Sequence, residues 1–291
     1  MRLVTFAASG KSGIGVLGRD GSVTDLAADP GLPTAMVDFV ALGRVGLAAA
    51  AAIAETAPRL SPGDVRLLAP IRPRNNVMAV GRNYHDHAKE FTESGFDASE
   101  KQMIPDHPII FTKAGSSIIG PGDAIEISND PLGTSDYEGE LGVVLGPGGS
   151  RISAGDAWDH VYGYTVVNDV TARELQKQHV QFFIGKSPAT YCPMGPCIVT
   201  RDEIDDITAS VLRTTVNGEL RQESPISGLI FDIPTLIEAI SAAVLLEAGD
   251  VIATGTPAGV GIGFDPPVYL RSGDTVEVSI DGVGTLVNPV A

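Results

Sequence analysis

The sequence is short of basic residues. Lysine and arginine together number 20 against 36 aspartates and glutamates, which leaves a formal net charge of −16. A surface that binds nucleic acid or anionic lipid needs clustered lysine and arginine side chains to displace counterions from phosphates. We therefore expect no nucleic-acid partner and no membrane partner for this chain.

Cysteine is also scarce, and long apolar runs are missing. Cys192 and Cys197 are too few for a disulfide framework or for a four-cysteine zinc site. The longest apolar run, residues 45–54, is much shorter than the stretch of about 20 residues that a membrane-spanning helix needs. Met1 and Arg2 are followed by the strand-like LVTFA rather than by the apolar core of a signal peptide. These features predict a cytoplasmic protein whose cysteines are reduced and structural.

Short β-type segments separated by turn residues dominate the chain, which has 291 residues with 34 glycines and 20 prolines. The pattern predicts a mixed, β-rich α+β fold with a small N-terminal β-rich lobe over residues 1–71 and a larger domain over residues 72–291. Asn217-Gly218 predicts a two-residue hairpin turn. Helices are predicted over residues 45–56, 171–179 and 233–246.

Two glycine-rich segments invite comparison with ligand-binding loops. Residues 13–18 match G-x-G-x-x-G, but the turn residues Asp20-Gly21 follow where a dinucleotide site requires a helix. We expect no nucleotide there. Residues 255–263 read GTPAGVGIG, and two interpretations stay open: a wide surface turn, or a place where the backbone approaches a ligand closely.

Glu138 and Glu140 form the most informative pair of acids. In a strand predicted over residues 137–145, the period of two places both on one face with Gly142 and Val144. Two like charges side by side in a sheet interior repel unless a cation or a proton intervenes, so a metal ion would stabilise the pair. The alternative is an edge strand that shows its polar face to water.

A third acid, Asp169, ends the apolar segment VYGYTVVNDV. Thr171 to Glu174 matches a capping box that would start a helix directly afterwards. Asp169, Arg173 and Gln176 would then project from one face. Arg173 either pairs with Asp169 or reaches a carboxylate or keto oxygen of a ligand. Three carboxylates favour a hard cation, Mg²⁺ or Mn²⁺, with about three coordination positions left for waters or a substrate.

Upstream, GRNYHDHAKE follows the strand-like VMAVG, and Asn83 is a candidate cap for a short helix. In that helix His87 and Glu90 are i, i+3 neighbours, so the carboxylate can orient the imidazole as a base for water. Two alternatives stay open: His85 and His87 bind a transition metal, or this face of the helix is solvated.

Seven separate segments of the chain are informative together: GRNYHDHAKE, PIIFTKAGSSIIGPGD, DYEGELGVVLG, NDVTARELQ, GKSPATYCPMGP, TVNGEL and ATGTPAGVG. In this order they resemble the fumarylacetoacetate hydrolase family over about residues 72–285. The resemblance implies a β-sandwich or roll for the larger domain, and a homodimer. It also implies that Mg²⁺ or Mn²⁺ is bound by Glu138, Glu140 and Asp169.

The resemblance also implies roles for individual side chains. His87 and Glu90 resemble a water-activating dyad on a lid helix, and Lys186 resembles an ammonium group that neutralises developing negative charge. Residues 91–107 are interpreted as a mobile lid. The side chains that would hold the 2-oxo acid end of a substrate are Arg82, Arg173, Gln176, Tyr191 and Thr256.

The implied activity is hydrolysis of a C–C bond in a 2,4-diketo acid or acylpyruvate, with the metal ion chelating the 2-oxo acid. Decarboxylation of oxaloacetate and isomerisation or hydration of dienoic diacids stay open on the same site. A metal ion that only ties strands together is a further alternative. Because Arg82, Arg173 and Lys186 join a dication and three carboxylates, the pocket is expected to be locally positive and to suit a small anionic oxo acid.

Overall fold

The computed structural model describes residues 1–93 and 104–291, and within these ranges it shows a mixed α+β fold with one large sheet, smaller sheets and few helices. Of the predicted lid, residues 94–103 lie outside the described residues. The helices are α1 Met36–Val40, α2 Gly43–Thr56, α3 His85–Glu93, α4 Arg173–Gln178, α5 Phe183–Lys186 and α6 Ile233–Ser241. The strands are β1 Arg2–Ala8, β2 Lys11–Leu17, β3 Val23–Asp25, β4 Arg59–Leu60, β5 Arg66–Leu67, β6 Val77–Gly81, β7 Ile109–Lys113, β8 Ile118–Ile119, β9 Ser135–Asp136, β10 Gly139–Leu145, β11 Val161–Asn168, β12 Thr171–Ala172, β13 Cys192–Thr200, β14 Val211–Val216, β15 Glu219–Pro225, β16 Val251–Ala253, β17 Thr275–Ile280 and β18 Gly284–Pro289.

The large sheet has the strand order β4-β3-β2-β1-β13-β11-β10-β16-β6-β7, with β5 beside β1 and β8 beside β13. Its N-terminal strands continue the sheet of the main body, because β1 pairs antiparallel with β13 through Arg2↔Val199 and Leu3↔Ile198. The division at residue 72 stays a prediction, and the two parts of the chain share this sheet. In its middle, β10 is hydrogen-bonded to β11 on one side and to β16 on the other.

Both faces of the central strands are covered. The small sheet, β15-β14-β17-β18, packs against β10 and β11, so that Leu141 and Val143 join Val278 in one core. On the opposite face Val144 joins Phe39 of α1 in a second core. Successive side chains of β10 thus point to alternate cores, as the period of a strand requires.

Helices α2 and α6 confirm two of the predicted helices, and the side chain of Asp232 caps α6 by accepting a hydrogen bond from the backbone N–H of Thr235. The predicted hairpin is also confirmed. Asn217 and Gly218 join β14 to β15 with φ of 54° and 79°, the left-handed region that this turn requires. In the part of the chain that the structure describes, no helix has both the length and the apolar character needed to cross a bilayer.

The capping box predicted from Thr171 to Glu174 is wrong. Thr171 lies in the short strand β12, and its hydroxyl donates to the carbonyl oxygen of Asp169 at 2.9 Å. Helix α4 begins at Arg173, after Ala172, which has no side-chain cap. The pairing of β12 with β9 outweighs the local capping preference, so Asp169 lies ahead of the helix rather than on its face.

Candidate metal centre and active-site pocket

Neighbouring strand ends bring four acids together, which we call the carboxylate cluster: Asp136, Glu138, Glu140 and Asp169. Glu138 comes directly before β10 and Asp169 directly after its antiparallel neighbour β11, and the backbone N–H of Asp169 donates to the carbonyl oxygen of Glu138 at 2.8 Å. Glu140 lies on β10 itself. The carboxylate oxygens of Glu138, Glu140 and Asp169 lie within 4.8 Å of one another and could hold a metal ion.

The alternative of an edge strand is wrong. Strand β10 has a hydrogen-bonded neighbour on each side, and every one of its residues is buried. Glu138 and Glu140 are 4% and 1% exposed, so neither shows its carboxylate to bulk water. Charges buried in this way need compensating charge of the opposite sign.

Three buried cations compensate the carboxylate cluster. Nζ of Lys186 lies 2.7 Å from Oε2 of Glu138 and 2.6 Å from Oδ2 of Asp169. Nη1 of Arg173 lies 2.6 Å from Oε1 of Glu138. Lys113, which no sequence pattern singled out, approaches from β7 with its Nζ 2.6 Å from Oδ1 of Asp169. With all four carboxylates ionised, four negative charges against three positive ones would leave one negative charge uncompensated.

These charges move the pKa values of the glutamates in opposite directions. Burial raises the pKa of Glu138, but the cations of Lys186 and Arg173 outweigh burial and lower that pKa to about 2. Burial, together with the negative charges of Asp169 and Glu138, raises the pKa of Glu140 well above its usual range. Burial lowers the pKa of Lys186, but Asp169 and Glu138 raise it above its ordinary value, so the ammonium group stays charged.

Arg173 pairs with Asp136, a second residue that the sequence analysis missed. Its Nε donates to Oδ2 of Asp136 at 2.9 Å, and its Nη2 lies 2.8 Å from the same oxygen. The alternative in which Arg173 pairs with Asp169 is wrong, because Asp169 contacts two lysines instead. The sequence did carry a signal for Asp136, since positions 136, 138 and 140 continue a single period of two.

The glycine-rich segment 255–263 binds acids through its backbone N–H groups. The surface-turn interpretation is wrong, because most of the segment is buried. Side chains would not fit along it, since a Cβ at Gly263 would lie 1.8 Å from Oε1 of Glu90 and a Cβ at Gly259 would lie 2.0 Å from the carbonyl oxygen of Arg221. The hydrogen bonds run from Gly255 N to Glu140 Oε2 at 2.9 Å, from Gly259 N to Glu90 Oε1 at 3.0 Å and from Gly261 N to Asp136 Oδ1 at 2.6 Å.

Helix α3 carries the predicted dyad. Nδ1 of His87 lies 3.2 Å from Oε2 of Glu90, a distance at which the carboxylate can orient the imidazole. The helix packs through Phe91 against Val260 and Ile262 of the glycine-rich segment. The dyad and the segment that binds the cluster are therefore in direct contact.

Other expectations for this helix need correction. Asn83 is not its cap: the Asn83 side chain donates to the carbonyl oxygens of Phe231 and Thr254 and accepts from the N–H of Phe231. A solvated face is wrong for His87, which is 4% exposed. His85 is exposed, so a metal site shared by the two histidines has no geometric support.

A pocket with an empty volume of about 320 Å³, open to solvent, lies beside the cluster. Phe111 and Phe182 line it as an edge-to-face pair with ring centroids 5.4 Å apart. Nζ of Lys186 lies 5.1 Å from the ring centroid of Phe111, which adds a cation–π contact. The predicted site residues among its lining are Arg82, His87, Glu138, Arg173, Gln176, Lys186 and Thr256.

The predicted substrate-binding residues differ in their surroundings. Oε1 of Gln176 is buried and has no hydrogen-bond partner among the described residues. The hydroxyl of Thr256 accepts from Nε2 of Gln222 at 2.7 Å. Tyr191 is not among the pocket-lining residues, and its hydroxyl forms a hydrogen bond with that of Ser135, so its contact with substrate stays a prediction.

The donor set fits a divalent cation. Glu138, Glu140 and Asp169 offer only carboxylate oxygens, which are the ligands that Mg²⁺ and Mn²⁺ prefer. Burial and the charges of Asp169 and Glu138 raise the pKa of Glu140, and a further cation beside it would stabilise its ionised form. These residues suggest a divalent metal ion without distinguishing Mg²⁺ from Mn²⁺.

Comparisons with known proteins show which proteins this chain is similar to. The family model described as fumarylacetoacetate (FAA) hydrolase C-terminal matches residues 76–291. Oxaloacetate tautomerase YisK of Bacillus subtilis is 47% identical over 269 residues, which are 89% of this chain and 87% of that protein. The structure of a fumarylacetoacetate hydrolase from psychrophilic Exiguobacterium antarcticum aligns over 100% of this chain and 99% of its own, with a TM-score of 0.84 and 43% identity. Maleylpyruvate hydrolase from Sphingobium sp. SYK-6, in complex with manganese(II) and pyruvate, aligns over 100% of this chain and 99% of its own, with a TM-score of 0.82 and 29% identity.

Proposed function

The chain belongs to the fumarylacetoacetate hydrolase family, and from that premise we propose that its site interconverts the keto and enol forms of a small 2-oxo acid, with a divalent metal ion as cofactor. One observation carries the proposal: the imidazole of the dyad and the Lys186 ammonium line one pocket together with Glu138 of the carboxylate cluster. A proton-transfer group and a positive charge thus meet where a substrate can bind.

The dyad supplies the proton transfer. Because Nδ1 of His87 faces Glu90, Nε2 is the ring nitrogen that can exchange a proton with a bound substrate. The Glu90 carboxylate stabilises the imidazolium that forms when His87 accepts a proton. In the keto-to-enol direction a proton leaves carbon 3 and a proton is added to the oxygen at carbon 2, so the reaction balances without another reactant.

Positive charge stabilises the substrate oxygen while that proton moves. Lys186 holds its ammonium group beside Glu138 and Asp169, where it can stabilise negative charge as it develops. A divalent ion held by Glu138, Glu140 and Asp169 would supply Lewis-acid polarisation of the 2-oxo group. We assign the carboxylate of the substrate to Arg82, Gln176 and Thr256. Arg173 is not included, because its guanidinium group already pairs with Asp136 and Glu138.

We favour keto–enol interconversion over the other candidate reactions because oxaloacetate tautomerase YisK is similar to this chain over most of its length. C–C bond hydrolysis, the activity that the family resemblance implies, is the second candidate, and the likeness to a maleylpyruvate hydrolase favours it. In that reaction His87 takes a proton from water, the hydroxide adds to the distal carbonyl, and the C–C bond breaks. The electron pair of the broken bond stays with carbon 3, and carbon 3 then takes up a proton to give the 2-oxo acid product.

A substrate panel tests the proposal. The protein is incubated with the enol form of oxaloacetate, with keto oxaloacetate and with an acylpyruvate, each with Mg²⁺, with Mn²⁺ or after chelator treatment. We expect metal-dependent acceleration of the conversion between enol and keto oxaloacetate, followed through the ultraviolet absorbance of the enol.

The same panel separates the alternatives. Metal-dependent pyruvate release from the acylpyruvate would establish hydrolysis, and pyruvate release from oxaloacetate would establish decarboxylation. If the metal-loaded protein turned over none of these compounds, the proposal would be contradicted, and a metal ion that only ties strands together would be favoured.

A further inference from the structure

Lys113 carries a buried charge that has no role in the proposed reaction. It lies at the end of β7, opposite Val77 of β6, and its side chain is fully buried. Its Nζ lies 2.6 Å from Oδ1 of Asp169 and donates to the carbonyl oxygen of Val170 at 3.1 Å and to the carbonyl oxygen of Lys186. A lysine is costly to bury, so these partners account for its position.

Two lysines share the carboxylate of Asp169, one on each oxygen. Lys186 contacts Oδ2, contacts Glu138 as well, and lines the pocket. Lys113 contacts Oδ1 and is not among the pocket-lining residues. Among the described residues, Oδ1 has no hydrogen-bond donor other than the Lys113 ammonium group beside it. Lys186 is placed to meet a substrate, whereas Lys113 is placed to hold protein groups.

From this difference we propose that Lys113 is a positioning residue, which fixes the carboxylate of Asp169 so that Oδ2 alone faces the metal centre, and which fixes the backbone of Lys186. Lys113 binds the loop that follows β11 and the end of α5 at the same ammonium group. The inference rests on the metal centre of the proposed function and not on the identity of the reaction.

A matched pair of variants separates positioning from charge. Lys113→Met and Lys186→Met each remove one positive charge beside Asp169, so a charge effect alone would make both variants bind a cation more tightly. If Lys113 positions Asp169, the Lys113 variant should instead bind the cation more weakly, while the Lys186 variant should not. Loss of a group that orients a metal ligand typically weakens metal affinity by about 10–100-fold.

The experiment is titration of Mn²⁺ into the metal-free protein by calorimetry, with the bound ion also followed by electron paramagnetic resonance. We expect Lys186→Met to bind Mn²⁺ as tightly as the wild type or more tightly, and Lys113→Met to bind it at least about tenfold more weakly. Circular dichroism checks that each variant is folded. Lys113→Gln, which keeps an N–H donor without the charge, provides a second folded variant if methionine is not tolerated.

The outcomes distinguish this inference from the proposed function. Equal or tighter Mn²⁺ binding by the folded Lys113 variants would overturn the positioning role, because charge would then explain the result. A wild-type protein that binds Mn²⁺ but converts no substrate would contradict the proposed function and leave the role of Lys113 standing.

Discussion

Glu138 of the carboxylate cluster and His87 of helix α3 line one pocket, but the chain builds the cluster and the helix differently. Glu138, Glu140 and Asp169 sit on or beside central strands of the large sheet, and buried cations and backbone N–H groups hold them. Helix α3 is a short element, held through the bond from Gly259 N to Glu90 and through the packing of Phe91. The part of the site proposed to bind the metal ion is therefore fixed by the sheet, whereas the part proposed to transfer protons lies on an attached helix.

This difference predicts that the two parts can be damaged separately. A change in the cluster should alter metal binding, while a change in the dyad should alter turnover and leave metal binding intact. A dyad variant that weakened metal binding would contradict this separation.

The largest effect is expected from Glu140→Gln. Glutamine keeps the length of the side chain and can still accept the hydrogen bond from Gly255, but it removes one ligand charge. We expect Mn²⁺ affinity to fall by at least about 100-fold, the upper end of what a lost outer-shell partner costs. The metal-free variant should unfold at the same temperature as the wild type or higher, because repulsion from Asp169 and Glu138 is relieved.

The matched control for this variant is Glu277→Gln, an exposed glutamate on β17. It should leave both Mn²⁺ affinity and melting temperature unchanged. Retention of wild-type affinity by folded Glu140→Gln would remove Glu140 from the metal centre.

The next effect is expected from His87→Ala. Removal of a positioned general base typically lowers turnover by about 10²–10⁴-fold. Because His87 lies on α3, we expect the Mn²⁺ dissociation constant to stay within about threefold of the wild type, against the 10–100-fold typical of a disturbed ligand shell. His85→Ala, an exposed neighbour on the same helix, is the control and should keep full turnover. Weakened Mn²⁺ binding by His87→Ala would show that the two parts are not separable.

Three acids of the carboxylate cluster and the dyad could be predicted because their signals are local. Alternation along one strand points to Glu138 and Glu140, the end of the next strand points to Asp169, and helical spacing pairs His87 with Glu90. These side chains lie together in the structure as their positions in the chain suggest.

The contacts of the supporting residues could not be predicted, because their partners are distant in the sequence. A lysine at the end of an apolar strand, such as Lys113, is ordinarily solvated, and only the fold brings it to Asp169. Asp136 was accessible through the alternation, yet its partner Arg173 comes from a helix much later in the chain. The two omissions carry opposite charges, so the formal charge expected for the pocket is unchanged.

A smaller effect is expected from Gly263→Ala, which reaches the dyad without altering either of its members. The new Cβ would lie 1.8 Å from Oε1 of Glu90, so the carboxylate must move away from its position beside His87. We expect turnover to fall by about tenfold, less than the roughly 10²–10⁴-fold typical of losing a general base, because His87 remains. Mn²⁺ affinity should not change. Gly63→Ala has no heavy atom within 4 Å of its new Cβ and serves as the control; a Gly263→Ala enzyme with wild-type turnover would show that the position of Glu90 is not important.

The last prediction tests whether the sheet around the cluster stays closed in the native protein. Burial raises the pKa of Cys192 to about 12, and the charges of Lys113 and Asp169 act on the same thiol. The thiolate is the reactive form, so at pH 8 only about one molecule in 10⁴ carries it, and burial excludes reagent as well. Burial also raises the pKa of Cys197, to about 11, and a Cys197→Ser background isolates the Cys192 signal.

We expect Cys192 to react with a disulfide reagent only as fast as the protein unfolds. With Mn²⁺ bound the reaction should be slower still, because a ligand of the native state lowers the unfolded population. Labelling that is faster than unfolding would mean that the strands beside the cluster open locally, and the contrast between a fixed cluster and an attached helix would then fail.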